Sequence, residues 1–148
     1  MKIYLAGVIQ GSHQGASNEN QNYRDRIKNI LLENHPEAEI VCPLELYPNA
    51  SNEDTQSMSE IINGCVKHAK RSDIVVAYLP VASMGTAIEL WESHHFGIPN
   101  IIISTMGNNL VIRSVANILV SGIEEFEHRV AEGALNKLLD ISKLPLAI

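Results

Sequence analysis

The chain has 148 residues, 45% of them hydrophobic and 19% charged, with a formal net charge of -6 and a pI near 5.4. That is one domain's worth of chain, a single unit over residues 1–148 with enough apolar residues for a core without disulfides or metals. The acidic balance and scattered Lys and Arg exclude an electrostatic footprint for a nucleic-acid polymer, and no run reaches the roughly 18 apolar residues of a membrane span, so a cytoplasmic location is expected.

In chain order, "KIYLAG" (residues 2–7) reads as a buried strand, and residues 8–19, rich in Gly, Ser, Gln and Asn, as a loop. A helix is expected from near Asn20 to Pro36. Tyr23, Ile27, Ile30 and Leu31 form its apolar stripe, with Arg24, Lys28 and Glu33 outside. "AEIVCP" (38–43) is a second strand, residues 44–53 a second irregular loop, and a helix follows from about Asp54. "DIVVAYL" (73–79) is the third strand, followed by a helix from Gly85. "NIIIST" (100–105) and "NILVS" (117–121) complete the strands. A last helix opens at Ser121 with Glu124 in a capping-box position and carries Phe126, Val130, Leu135, Leu138 and Leu139 inward.

Strands alternating with helices indicate βαβ units. The continuous Val, Ile and Leu content indicates strands covered on both faces. The expected fold is therefore a doubly wound α/β domain. In such sheets ligands bind beyond the carboxyl ends of the strands, where strand order reverses. Three segments are expected to converge there. "GVIQGSHQG" (7–15) has Gly7, Gly11 and Gly15 for close backbone approach. "VASMGT" (81–86) places Ser83, Gly85 and Thr86 at a helix N-terminus suited to an anion, and "STMGNN" (104–109) is polar enough to form part of a rim.

Glu89 lies about one turn inside the helix that "SMGT" opens. Pattern alone allows two roles: a carboxylate for nucleophilic or proton-transfer chemistry, or an N-terminal acid favouring the helix dipole. Glu92 is expected to face solvent and Trp91 to pack in the core or an interface. His94 and His95, being adjacent, occupy different helix faces and lack a third ligand, so no metal site is expected. His13, in the first loop, is either a ligand contact or an ordinary surface histidine. Asp73 opens the third strand at the end opposite the site, where capping or solvation is its expected role. Cys42 and Cys65 lack CxxC spacing and are expected to be reduced core residues.

Over roughly residues 1–103 the chain resembles the nucleoside 2-deoxyribosyltransferase family, and within it the smaller 2'-deoxynucleoside 5'-monophosphate N-glycosidases. The resemblance rests on "MKIYLAG" with a Gly-rich loop, Tyr23 in the first helix, Asp73 opening a strand, Ser83-Met84-Gly85, Glu89, and Gly97-Ile98-Pro99 where members carry GKP. It implies a three-layer, flavodoxin-like fold with a parallel sheet of about five strands. The site it implies lies between subunits of a homo-oligomer, a dimer or higher, with Glu89 as nucleophile on C1' of a nucleoside or nucleoside 5'-monophosphate and no cofactor. Gly7, Gln10, Gly11, Tyr23, Ser83, Gly85 and Thr86 would bind the substrate. Two departures stand out: Cys65 occupies the place of a family aspartate, and Val8 and Gln10 replace the Ser and Arg of the monophosphate glycosidases. Gly85 to Glu89 also fits the GTxxE core of phosphoribohydrolases that release cytokinin bases, without the preceding PGG. The alternative is a non-catalytic nucleotide-binding or signalling module on the same fold.

Overall fold

The computed structural model describes residues 1–11, 20–50 and 54–142, with side chains to residue 140. Five strands, β1 (Lys2–Gly7), β2 (Glu39–Val41), β3 (Ile74–Tyr78), β4 (Asn100–Ile103) and β5 (Ile118–Val120), form one sheet in the order β2-β1-β3-β4-β5. Every pairing is parallel. The helices are α1 (Tyr23–Asn34), α2 (Pro43–Leu46), α3 (Thr55–Lys70), α4 (Met84–His95), α5 (Leu110–Val115), α6 (Ile123–Ala131) and α7 (Ala134–Ser142).

The period of two along each strand divides the core. Ile3, Leu5, Ile74, Val76, Ile101 and Ile103 point to one face, where α1, α6 and α7 bury Ile27, Leu31, Phe126 and Leu135 against them. Tyr4, Ala6, Val75, Ala77 and Ile102 point to the other, under Cys65 of α3, Leu90 of α4 and Ile112 of α5. Apolar residues on both sides of the central strands account for the unbroken hydrophobic runs. The result is the three-layer, doubly wound, flavodoxin-like architecture expected from the sequence. The chain places β2 on one side of β1 and β3 on the other, so the order reverses between β1 and β3, which opens a crevice at their carboxyl ends.

Several boundaries differ from the sequence expectations. The first helix begins at Tyr23, after a turn, rather than near Asn20. The segment read as a loop over 44–53 contains α2, a single turn with Pro43 at its start, where a missing N–H is harmless. The apolar stretch before β5 folds as α5, capped by Asn109, whose Oδ1 accepts from Ile112 N. The last helix is two helices. Gly133 at φ +81° ends α6 in the left-handed conformation that a side chain disfavours, and α7 starts afresh. Ser121 is no capping box with Glu124 either. Gly122 is the cap residue, while Ser121 donates through its N–H and hydroxyl to Glu125 Oε2 at 2.9 and 2.8 Å.

At the amino edge of the sheet, Asp73 accepts from Lys2 N at 2.6 Å and its own N–H donates to Lys2 O, tying β1 to β3 far from the crevice. No described helix is long and apolar enough to cross a membrane.

Candidate active site

A cavity of about 460 Å³ occupies the crevice at the strand-order reversal. Its floor is Glu89. Ser83 sits in extended conformation just before α4 and caps it, its Oγ accepting from Thr86 N at 3.4 Å and from the Thr86 hydroxyl at 3.1 Å. This lifts Ser83, Gly85 and Thr86 into the cavity wall and turns Glu89, a little over one turn later, inward. Glu89 is only 7% exposed, so its carboxylate faces the interior of the crevice.

The carboxylate is held from below by β1. Tyr4, fully buried, donates its hydroxyl to Glu89 Oε1 at 2.8 Å. The Cys65 thiol of α3 is a second hydrogen-bonding neighbour. Burial disfavours the charged carboxylate and pushes Glu89 up to about 7, against the opposing pull of the Tyr4 hydroxyl, the positive charge of Arg24 and the Cys65 thiol. Burial and the adjacent Glu89 charge push the Tyr4 phenol far above its ordinary range, and the same two causes push the Cys65 thiol up to about 11. Tyr4 and Cys65 are therefore neutral donors at ordinary pH, and Glu89 is the group that titrates near neutrality.

Of the residues expected at the site, Gly7, Gln10, Gly11, Ser83, Gly85, Thr86 and Glu89 all line this cavity. Tyr23 does not. Its hydroxyl donates to Val8 O at 3.0 Å, its ring rests on Tyr78 with centroids 4.3 Å apart, and a Cβ at Gly7 would overlap that hydroxyl. Gln21 Nε2 reaches the same carbonyl at 3.1 Å. Tyr23 thus anchors the start of the first loop from beneath. The segment 104–109 is not part of this rim: Ser104 and Thr105 line a separate cavity of about 270 Å³ with Ser121 and Gly122. His13 and Gly15 lie outside the described residues. Trp91 is half exposed, Phe96 more so, and Glu92 pairs with Lys70 at 3.2 Å. Cys42 and Cys65 are free and buried.

Three features escaped the sequence reading. Tyr4 was visible only as the one polar-tipped residue in an apolar strand, although the period of two puts it on the opposite face from Ile3 and Leu5. Arg24, expected outside, is 3% exposed; its spacing from Ile27 and Leu31 was the available signal. The third is an apolar wall opposite Ser83, made by Tyr47 beyond α2 and by Met58, Ile61, Ile62 and Cys65 of α3. These α3 positions recur at i, i+3, i+4 and i+7, the spacing of one helix face. Among the described residues, no cluster of three or more His, Cys, Asp or Glu is placed to hold a metal ion.

No protein-family model matches the sequence, and a search of the curated proteins found no match. Solved structures do match. The 2-deoxyribosyltransferase from the psychrotolerant bacterium Bacillus psychrosaccharolyticus superposes with a TM-score of 0.64 at 22% identity, over 86% of this chain and 90% of that one. A conserved protein from Enterococcus faecalis V583 superposes with a TM-score of 0.59 at 18% identity, over 89% and 98% respectively. At these identities the likeness is one of fold, and the fold they share with this chain is the doubly wound α/β sheet.

Proposed function

We propose that the protein cleaves or transfers at the N-glycosidic bond of a nucleoside or nucleoside 5'-monophosphate, with Glu89 as nucleophile. The observation that carries this reading is the placement of Glu89: a carboxylate buried on the floor of a crevice of ligand size, aimed by a tyrosine hydroxyl, beside hydroxyls and the N-terminus of α4. The reading agrees with what the solved neighbour from Bacillus psychrosaccharolyticus is described as, a 2-deoxyribosyltransferase.

In this mechanism the ionised Glu89 attacks C1' as the bond from C1' to the base nitrogen breaks through an oxocarbenium-like state. The base leaves with the bonding electron pair and takes a proton from solvent, leaving a glycosyl ester on Glu89. Water then opens the ester to free sugar and carboxylate, which is hydrolysis; a second base attacking C1' gives transfer. Ser83, Gly85 and Thr86 take the 5'-hydroxyl or 5'-phosphate, the latter favoured by the helix N-terminus. Gly7, Gln10 and Gly11 bring the first loop against the sugar, and the apolar wall of α3 receives the base. A homo-oligomer belongs to the same proposal, because the mouth of the cavity is flanked by exposed Met84 and Ile88.

The test is base release, followed by chromatography, from a panel of nucleosides and nucleoside 5'-monophosphates. The wild type is expected to release base from at least one member, at a rate that rises with pH through about 7 as Glu89 ionises. Glu89→Gln is expected to lose more than about a thousandfold. A wild type inert across the panel, or a variant equal to it, overturns the proposal. A second reading is favoured by Cys65, a neutral thiol where an acid for the departing base would help. Nucleotide-dependent thermal stabilisation without any product would make the chain a binding module.

A further inference from the structure

The strand β2 leaves the sheet early. Its pairing with β1 runs from Lys2 with Glu39 to Tyr4 with Val41, so the β1 carbonyls beyond Tyr4 on that side need another donor. Arg24 provides it from α1. Nη1 donates to Leu5 O at 3.1 Å, Nη2 to Gly7 O at 3.0 Å, and Nε to Gln21 Oε1 at 2.8 Å, while Nη1 also lies 3.6 Å from Cys42 Sγ. None of these acceptors is a carboxylate. A neutral donor would fill the hydrogen-bonding role without bringing a charge into the interior, which is strongly unfavourable unless an opposite charge compensates it.

Among the described residues, two buried side chains are of charged type: Arg24 at 3% exposure and Glu89 at 7%. Both are tied to the same strand, β1. Arg24 grips the carbonyls of Leu5 and Gly7, while the side chain of Tyr4, pointing to the opposite face, hydrogen-bonds Glu89.

We propose that Arg24 is the counter-charge of Glu89, a positioning residue that holds the carboxyl end of β1 in place and, across that strand, favours the ionised form of the buried Glu89 carboxylate. The functional importance of this pairing rests on the reading of Glu89 as nucleophile; the pairing itself does not. The other titratable groups around Glu89 are Tyr4 from β1 and Cys65 from α3, both neutral donors, with Tyr23 beside Arg24 on α1 and Tyr47 on the same cavity wall. The strand β3 and helix α5 present Val75, Ala77 and Ile112 to that layer. Arg24 is the positive charge that draws the carboxylate toward ionisation, against burial.

The experiment separates charge from hydrogen-bonding shape. Glu89 is titrated directly by carboxyl 13C NMR of glutamate-labelled protein, its signal assigned by its loss in Glu89→Gln. The series is wild type, Arg24→Met, Arg24→Gln and Arg24→Lys, with circular dichroism as the check on folding. Both neutral variants are expected to raise the Glu89 midpoint by about one pH unit or more, and Arg24→Lys, which keeps the charge but not the planar fork, to stay near the wild type. In base-release assays the acid limb of kcat/KM is expected to move by the same amount. An unmoved midpoint in a folded neutral variant, an equal rise in Arg24→Lys, or failure of both neutral variants to fold would overturn the proposal. Because the titration needs no turnover, a wild type inert toward nucleosides defeats the glycosidic reading and leaves the charge pairing to be judged by its own result.

Discussion

Burying a carboxylate works against folding, and Glu89 shows the conflict at the scale of one residue. Its ordinary value of 4.5 is raised to about 7 by burial, so between those values the folded chain holds a proton that the unfolded chain has released. Stability contributed by this group is therefore fully present below about 4.5 and is lost as pH rises through about 7. A shift of that size corresponds to about 3 kcal/mol at most. Glu89→Gln, which keeps the shape and the acceptor for Tyr4 but cannot ionise, is expected to be more stable than wild type at pH 8 and to lose that advantage near pH 5. Urea unfolding at the two pH values checks it, and a difference independent of pH would mean that burial does not strain this carboxylate. The helix pattern put Glu89 on the first turns of α4, but its two possible roles differ in burial, and burial depends on β1 and α3. One-dimensional spacing could not place the side chain; the Tyr4 hydroxyl, 2.8 Å from Glu89 Oε1, marks it as turned toward the sheet.

At the scale of elements, the apolar wall of the cavity depends on a glycine inside a helix. Gly64 lies within α3, where glycine is about 1 kcal/mol less favourable than alanine. A Cβ there would overlap the Tyr47 hydroxyl, so the missing side chain is the seat that holds Tyr47 beyond α2 against the cavity. Gly64→Ala is expected to gain no helix stability and to raise KM several-fold with kcat little changed, because Tyr47 is pushed into the binding volume. Adding Tyr47→Phe removes the overlapping oxygen and is expected to recover part of the stability; a simple gain of about 1 kcal/mol from Gly64→Ala alone would show that Tyr47 moves freely. Elements of this kind explain where the sequence was readable. The strands β1, β3 and β4 were plain as apolar runs, and α3 and α4 as long helices. The short helices α2 and α5 were not, since four to six residues do not complete two periods. The break between α6 and α7 was signalled by Gly133 and by the phase of the apolar residues, since Leu135 lies nine residues beyond Phe126, about half a turn out of step.

At the scale of the whole molecule, the outer surface of α4 carries an exposed apolar stripe. Met84, Ile88 and Trp91 are 84%, 47% and 48% exposed. With His95, whose ring lies 4.5 Å from that of Trp91, they follow one another at intervals of four, three and four residues, a single stripe along the helix. Phe96 extends it, 63% exposed with Lys70 Nζ 3.9 Å from its ring centroid. The buried residues of α4, Thr86, Glu89, Leu90 and Ser93, occupy the other side, so the apolar stripe is not the face that packs on the sheet but one turned to solvent. Contiguous apolar patches of this kind mark interaction surfaces, and a twofold axis lets one patch serve both partners. Because Met84 and Ile88 also line the cavity, a second copy seated on this stripe would close the open side of each site. Trp91 is the informative position, since it lies on the stripe and not on the cavity wall. Trp91→Glu is expected to convert an oligomer into a species of 16.3 kDa with unchanged circular dichroism, measured by light scattering after gel filtration. Base release is expected to fall with the oligomer, chiefly through KM, because the site loses its cover while Glu89, Tyr4 and Arg24 keep their places. A wild type already of single-chain mass at micromolar concentration, with full activity, would show instead that α4 closes its site alone.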